Sequence, residues 1–395
     1  MKMDMRQTVE WDVLIVGAGI TGLALGMVLH RGGLRVKVMD RRLPQDFIPS
    51  PGFDARIYAM SRASERFLRL AGGWQAMDET RCQPIRAMKI YGDRLGRVTL
   101  QPGRRDPPGM GWIVEAGAML GGLRAHQKRT APGLLEERSL TWEAVEPLDG
   151  GLRIRAAGQT YTTRLLLACD GIQSALRDKM GLRAQFTSYG QTALVVNYRI
   201  SGQHGGVAHQ WFVPGGVLAL LPLPGNHVSL VWSLRSDHAQ AWLGMSPEQR
   251  TVTLQAQVGY GMGQFEEISK PAAFELRRMS VDRWIAPRFA LVGDAAHGVH
   301  PMAGQGLNLG LEDAATLADI LLRRLPGPEI GDRSLLRRYE RSRREPVAQM
   351  HALAGVLNGL FARSDGPWAV LRNWGMNRLD ALDGIKRELI EQANR

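Results

Sequence analysis

The stretch from Trp11 to Asp40 constrains this chain more than any other. Trp11-Asp12-Val13-Leu14-Ile15-Val16 is a continuous β-prone run, the kind that a central parallel strand makes when both its faces are buried. It leads directly into Gly17-Ala18-Gly19-Ile20-Thr21-Gly22. At that spacing the first glycine permits a tight turn, the second lets a pyrophosphate approach the backbone, and the third allows close helix packing. The helix that follows turns its positive end toward the phosphates. It reads through Leu23 to Arg31 and stops at Gly32 and Gly33; Arg35-Val36-Lys37-Val38-Met39 then forms a second strand closed by Asp40. Asp40 lies 40 − 17 = 23 positions beyond Gly17, where an acid accepts hydrogen bonds from an adenosine ribose. The pattern predicts an ADP-containing ligand held by Gly17, Ala18, Gly19, Gly22 and Asp40. It does not separate NAD from FAD, and Arg41 and Arg42 would tolerate a 2′-phosphate.

The same stretch imitates a membrane span, because the 17 residues from Val13 to Leu29 are almost all apolar or glycine. Three glycines in its middle, Asp12 directly before it, and Asp4 and Glu10 upstream argue instead for strand, turn and helix, and against a signal peptide. No other apolar run is long enough to span, so a soluble or peripheral protein is expected. With 395 residues, two packed domains or one large α/β body are expected. Two cysteines, Cys82 and Cys169, cannot staple a chain of this size and lack zinc-ligand spacing, so a reducing cytoplasm and no metal are expected.

The net charge of +12 raises the question of nucleic acid or an anionic membrane. Only seven of the fifty basic residues are lysine, however, and the arginines are scattered, as genome base composition would produce. The densest cluster, Arg323 to Arg344, alternates with Glu340 and reads as a solvated helix face. No zinc finger or RNA-binding aromatic motif accompanies it, and nucleic acid is not expected.

Two further strand ends carry polar motifs. Leu165-Leu166-Leu167-Ala168-Cys169 breaks at Asp170-Gly171 and enters a short helix through Arg177. Phe289-Ala290-Leu291-Val292 ends in Gly293-Asp294, and His297 and His300-Pro301-Met302-Ala303-Gly304-Gln305-Gly306-Leu307-Asn308 lead into a helix running to about Arg324. Ligands of open α/β sheets bind beside the carboxyl ends of strands, so all three ends are expected to meet one ligand.

In this order the three motifs resemble the group A flavoprotein aromatic hydroxylases of the para-hydroxybenzoate hydroxylase fold. Asp54-Ala55-Arg56-Ile57-Tyr58-Ala59-Met60-Ser61, His300 to Asp313, and Leu218 to Leu223 followed by Val231-Trp232 narrow the likeness to the ubiquinone-biosynthesis hydroxylases. The resemblance implies an α/β fold: a Rossmann-type FAD-binding domain (1–80, 112–180 and 286–350), an inserted antiparallel-sheet substrate domain (81–111 and 181–285) and C-terminal helices (351–395). It implies FAD as cofactor, NAD(P)H as transient electron donor and O2 as cosubstrate, acting through a C4a-hydroperoxyflavin.

By the same resemblance, Gly17, Gly19, Gly22 and Asp40 would hold the ADP half of FAD, and Arg56 its flavin side. Asp170 and Arg177 would serve FAD and the transient nicotinamide site. Gly293 and Asp294 would bind the ribityl chain. Pro301, Gly304, Gly306, Leu307 and Asn308 would line the isoalloxazine, with Pro301 as a rigid wall and His297 as an acid–base candidate. Where relatives carry Asn-Arg after a glutamate, this chain has Glu115-Ala116-Gly117, and Arg124 is the candidate replacement for the missing phosphate contact. Plainer readings exist: Asp294 as a helix cap, Asp170 as a turn residue, His297 and His300 as backbone hydrogen-bonders, Cys169 as a small strand filler.

Residues 195–200, 209–213, 217–221 and 228–234 read as four antiparallel strands, with further strands near 86–100. Among them Trp211, Phe212, Leu220 and Trp232 are candidates to face a hydrophobic aromatic substrate, although aromatics in a sheet commonly form core. The family implies a polyprenyl phenol or quinol intermediate of ubiquinone biosynthesis, and with it a membrane surface and other ubiquinone-biosynthesis proteins as partners of a cytoplasmic, peripheral enzyme. Trp368, Leu371, Trp374, Leu379, Leu382, Ile385 and Leu389 approximate helical spacing and are either the membrane contact or a helix packed on the body. Small phenolic or salicylate-like acids are the rival substrates, and a lipid- or partner-binding scaffold is the rival outside enzymes. A flavin reductase or halogenase on this fold is a more distant reading.

Overall fold

The computed structural model describes residues 9–42, 52–92, 96–103, 109–136, 142–213, 216–299, 305–324, 327–362, 373–378 and 380–394. Pro301, Gly304, Trp368, Leu371 and Leu379 lie outside them. The chain opens with β1 (Trp11–Val16), α1 (Ile20–Arg31) and β2 (Val36–Met39), followed by β3 (Ile57–Met60), α2 (Arg62–Leu70), β4 (Cys82–Pro84), β5 (Ala87–Tyr91) and β6 (Arg97–Leu100). Next come β7 (Trp112–Glu115), α3 (Ala116–Thr130), β8 (Trp142–Leu148), β9 (Gly151–Ala156), β10 (Gln159–Ala168) and α4 (Ala175–Lys179).

The first sheet runs β2-β1-β10 and continues through two short strands, β18 (Phe289–Leu291) and β17 (Ile285–Ala286). β1, β2, β10 and β18 are mutually parallel where they pair. Their middles, Val13 to Ile15, Leu165 to Leu167 and Phe289 to Leu291, are fully buried, and each large apolar side chain so buried contributes about 1.5–3 kcal/mol. That burial sets the register: Val16 pairs Ala168, and Ala168 pairs Leu291. The three polar motifs therefore leave the sheet at one level, side by side.

The second sheet is built around β11 (Ala184–Ile200), β12 (Val207–Val213), β13 (Gly216–Leu223), β14 (His227–Arg235) and β16 (Ala272–Val281). β15 (Phe265–Glu267) pairs β11, while β5 joins β12 in parallel and carries β6 at the edge. At the opposite edge β19 (His297–Gly298), part of the third motif, pairs β16 and ties the two sheets together. Successive side chains of a strand face opposite sides. One side packs under α5 (Ser236–Leu243) and α6 (Pro247–Val258), where Leu194, Leu218, Leu220, Leu230, Trp232 and Trp242 form a core. The other side presents Ala193, Val195, Ala208, Ala219, Leu221 and Val231 to a cavity.

A small third sheet, β3-β7-β4, lies between the two. α7 (Gly306–Leu322), α8 (Arg333–Ala362) and α9 (Asp383–Asn394) complete the chain. Between α8 and α9, helical residues Asn373, Asn377 and Asp380 accept hydrogen bonds from the Gly96, Arg97 and Thr99 amides at 2.8, 3.1 and 2.8 Å. Their spacing of four and three puts the acceptors on one helix face, and they close the outer edge of β6 against further strand pairing. Trp374, Leu382 and Ile385 remain exposed. No helix of the described residues is long and apolar enough to cross a membrane.

Candidate functional site

A groove of about 580 Å3 crosses the carboxyl ends of β1, β2, β10 and β18. Gly19, Asp40, Arg41, Asp170, Asp294 and Gly306 are among its walls. At one end the Asp40 carboxylate is fixed by the Ala18 amide at 2.6 Å and the Arg42 amide at 2.9 Å. The glycines of the first loop divide the work. Gly17 has φ +111°, and a Cβ there would stand 2.2 Å from the Cys169 carbonyl oxygen; a Cβ on Gly22 would stand 2.0 Å from the Gly17 carbonyl oxygen. Those two serve the close packing of loop, helix and neighbouring strand. Gly19 faces open space, with nothing within 4 Å of its virtual Cβ, and offers the approach to the backbone.

In the second loop Asp170 Oδ2 accepts the Leu176 amide at 3.4 Å, while Oδ1 is buried with no hydrogen-bond partner among the described residues. Burial raises its carboxyl above the ordinary value, against hydrogen bonds from Ser174 and nearby amides that lower it. In the third loop Asp294 opens to the groove while protein surrounds it. The resulting desolvation raises its carboxyl too. Beyond it Gly306 and Leu307 bring the first turn of α7 to the groove, where helix amides lack intrahelical partners and carry the positive end of the dipole.

At that end the groove adjoins a second cavity of about 300 Å3, and Arg56 and Tyr58 line both. Its remaining walls are mainly apolar: Ile85, Met88 and Ile113 oppose the Ala/Val face of the second sheet. Phe274 lines it while remaining 43% exposed, so the chamber reaches the surface there. Burial and the nearby Asp294 raise the Tyr58 phenol, which keeps it a neutral donor at neutral pH.

The geometry corrects several sequence expectations. Trp211, Leu220 and Trp232 belong to the core under α5 and α6, on the face away from the chamber; Trp232 packs edge-on against Trp242. Phe212 shares the parity of Ala208 and Gln210 but is not on the chamber wall. Arg124 is buried in α3, bonded to Gln127 at 3.1 Å, and does not reach the groove. Arg177 is buried as a latch: its Nη1 donates to the carbonyls of Ile172 and Ala295 at 3.0 and 3.2 Å, joining the second and third loops. Asn308 clamps rather than lines: it accepts from the Ser61 amide at 3.0 Å and donates to the Ala59 carbonyl at 2.8 Å, holding β3 and α2 to α7. Gly293, with φ +64°, shapes its loop against Gly310.

His297 is also displaced from the role expected of it. It is buried off the groove, and its Nε2 donates to Asp313 Oδ2 at 2.6 Å. Asp313 Oδ2 also accepts the Gly293 amide at 3.0 Å, and Oδ1 accepts from Arg343 Nε at 2.7 Å. Sequence reading left Asp313 without a role and placed Arg343 in the cluster expected to be a solvated helix face, whereas Arg343 is buried against Asp313. The available signal was Asp313 falling among the apolar positions Leu309, Leu311, Ala314 and Leu317, a place where an acid needs a buried partner. Tyr58 was likewise quoted but assigned nothing, because its position between two cavities depends on the third sheet.

The groove residues fit FAD. An open backbone cradle at Gly19, an unpartnered buried oxygen on Asp170, a fixed acid at Asp40 and the first-turn amides of α7 answer to phosphates and hydroxyls of an extended dinucleotide.

Comparison with known proteins agrees. The profile of the FAD binding domain family matches residues 10–80 and 142–354. The ubiquinone hydroxylase UbiL of Rhodospirillum rubrum is 33% identical over 385 residues, covering 97% of this chain and 89% of that protein. The 3-demethoxyubiquinol 3-hydroxylase of Escherichia coli is 30% identical over 391 residues, covering 97% and 98%. Among solved structures, p-nitrophenol 4-monooxygenase PnpA of Pseudomonas putida superposes with a TM-score of 0.77 at 18% identity, covering 98% of each chain. PqsL of Pseudomonas aeruginosa gives 0.73 at 22%, covering 93% and 99%. The two structures speak to the fold.

Proposed function

The chain belongs to the family of FAD-dependent ubiquinone-biosynthesis hydroxylases, and from that premise we propose that it hydroxylates the ring of a polyprenyl phenol or quinol, using NAD(P)H and O2. The observation that carries this reading is the junction at Arg56 and Tyr58, where a polar dinucleotide groove opens into an apolar chamber.

Bound in the groove, FAD would supply the electron transfer and oxygen activation that protein side chains cannot. Gly19, Asp40, Asp170 and Asp294 would hold it, and the first-turn amides of α7 would face negative charge at its ring end. The chain's own part is then positioning and exclusion of water. Ala193, Ala208 and Ala219 keep the chamber floor low enough for an aromatic ring, while Ile85, Met88 and Ile113 keep it dry. Tyr58, held neutral, can donate a hydrogen bond to a ring oxygen. A tail would leave past Phe274. Trp374, Leu382 and Ile385 would meet the membrane from which a tailed substrate comes.

The test is a panel of prenylated phenols and short untailed acids given to the FAD-loaded protein, with oxygen uptake, NADH or NADPH consumption and product mass followed together. Coupled hydroxylation of the tailed ring is the expected result. Hydroxylation of the short acids alone would replace the substrate assignment, and a protein that stays colourless with FAD would end the enzymatic reading.

A further inference from the structure

A polar cleft to which the reading above assigns no ligand lies beside the groove. Gly298 of β19 lines the groove, whereas its neighbour His297 lines the cleft. The cleft measures about 430 Å3, and Arg278, Asp282, Trp284, His297, Arg344 and His351 are on its wall.

The wall is rich in cationic groups with little to neutralise them. Arg278 is exposed, and its guanidinium makes no hydrogen bond or ion pair among the described residues. Arg344 reaches Glu340 only at 4.0 Å and keeps half its side chain in solvent. Asp282 is the acid on this wall, set against the two guanidinium groups. His351 registers the balance: burial first, then Arg278 and His297, hold its imidazole down to about 4.

A second observation points to an occupant. His297 is 1% exposed, and its Nδ1 has no hydrogen-bond partner among the described residues. Its Nε2 is already committed to Asp313, and the Trp284 ring, 5.1 Å away, covers one side. A buried polar atom without a partner costs about 1–3 kcal/mol; with Nε2 carrying the proton, Nδ1 is left as an acceptor, and the hydroxyl of a hydrogen phosphate, or a water that the anion holds, would relieve that cost. Guanidinium groups offer forked donors that suit phosphate oxygens.

We propose that this cleft is a binding site for a phosphate-type oxyanion, held by Arg278 and Arg344 and reaching His297. Its occupant would stand close to the flavin groove, since His351 Nε2 donates to the Gly298 carbonyl at 3.2 Å and His297 shares Asp313 Oδ2 with the Gly293 amide. The phosphate could be free or carried by a nicotinamide dinucleotide.

The test is calorimetric titration of the FAD-loaded protein with inorganic phosphate; loading with FAD removes the groove as a competing phosphate site. Saturable binding is expected, weakened about tenfold or more in Arg278→Gln and in Arg344→Gln, while both variants keep the parental flavin spectrum and FAD content. Displacement of phosphate by NADP+ but not NAD+ assigns the 2′-phosphate as the natural group. Displacement by both assigns the pyrophosphate, and displacement by neither assigns free phosphate. Heats reproduced by chloride at equal ionic strength overturn the proposal, as does phosphate binding that both substitutions leave unchanged or a titration without saturation.

Discussion

Asp313 and His297 are joined by a 2.6 Å hydrogen bond with both side chains removed from water. The pair connects the interior of α7 to the Gly293-Asp294 loop, because the same carboxylate oxygen accepts the Gly293 amide. Burial alone would raise the Asp313 carboxyl, yet His297 and Arg343 together hold it below the ordinary value.

An acid depressed in this way contributes stability that is complete above its unfolded value of about 3.9 and fades as pH falls through its lower folded value. Asp313→Asn should therefore cost about 3–5 kcal/mol at neutral pH, the range for removing one member of a buried pair. Urea melts at a series of pH values should show the variant losing less stability than the parent as pH falls below 3.9. Equal stability of the two at pH 7 would show that the loop is anchored elsewhere.

The first-loop glycines separate folding from binding. Gly19 has φ −71° and open space at its Cβ, so Gly19→Val should melt like the parent without FAD while losing FAD affinity by about a hundredfold, about 2.8 kcal/mol at 1.4 kcal/mol per factor of ten. Gly22→Ala would push a methyl into the Gly17 carbonyl and should lower the melting temperature of the flavin-free protein itself. Thermal melts paired with flavin-fluorescence titration distinguish the two, and normal FAD binding by Gly19→Val would unseat the first loop as the phosphate cradle.

Asp170 carries a buried oxygen without a partner and a carboxyl raised by burial. Its folded value stands above its unfolded one, so at neutral pH the ionised group opposes folding of the flavin-free protein, and stability should grow as pH falls through the raised value toward the unfolded value of about 3.9. Asp170→Asn should raise the melting temperature without FAD yet weaken FAD binding by about tenfold, the lower part of the 1.5–3 kcal/mol expected for a hydrogen bond to a charged group. A variant that gains stability and keeps full FAD affinity would mean that Asp170 serves the turn alone.

The two faces of the second sheet give opposite phenotypes. Ala219→Phe fills the chamber and should abolish ring hydroxylation while FAD content and melting temperature stay near parental values. Trp232→Ala leaves a cavity under α5 and α6 and should cost about 3–5 kcal/mol, with the KM for substrate little changed at a temperature where the variant is folded. A KM defect confined to the Trp232 variant would reverse this assignment of faces.

At the C-terminus, removing the segment would uncover the β6 edge, so substitution tests a membrane role more cleanly than truncation. Replacing Trp374, Leu382 and Ile385 together with glutamine should abolish flotation with anionic liposomes while leaving the Asn373, Asn377 and Asp380 contacts and the melting temperature intact. Undiminished flotation would place the membrane contact on another surface.

Residues 11–40 were legible in the sequence because each of their signals is local. A buried strand, a glycine spacing and an acid 23 positions on need only nearest-neighbour geometry to be read, and the order of the three motifs carried the family. The faces of the second sheet were not legible. Alternation states that Val231 and Trp232 point opposite ways, but not which side is core; α5 and α6, arriving later in the chain, cover the tryptophan side and leave the valine side to the chamber. His297 shows the same limit. Its place beside Gly293-Asp294 suggested chemistry, and only packing of α7 and α8 brought Asp313 and Arg343 to it from 16 and 46 positions away. Burial without water demands that such groups be paired, and that demand is met across distances in the chain that no local pattern records.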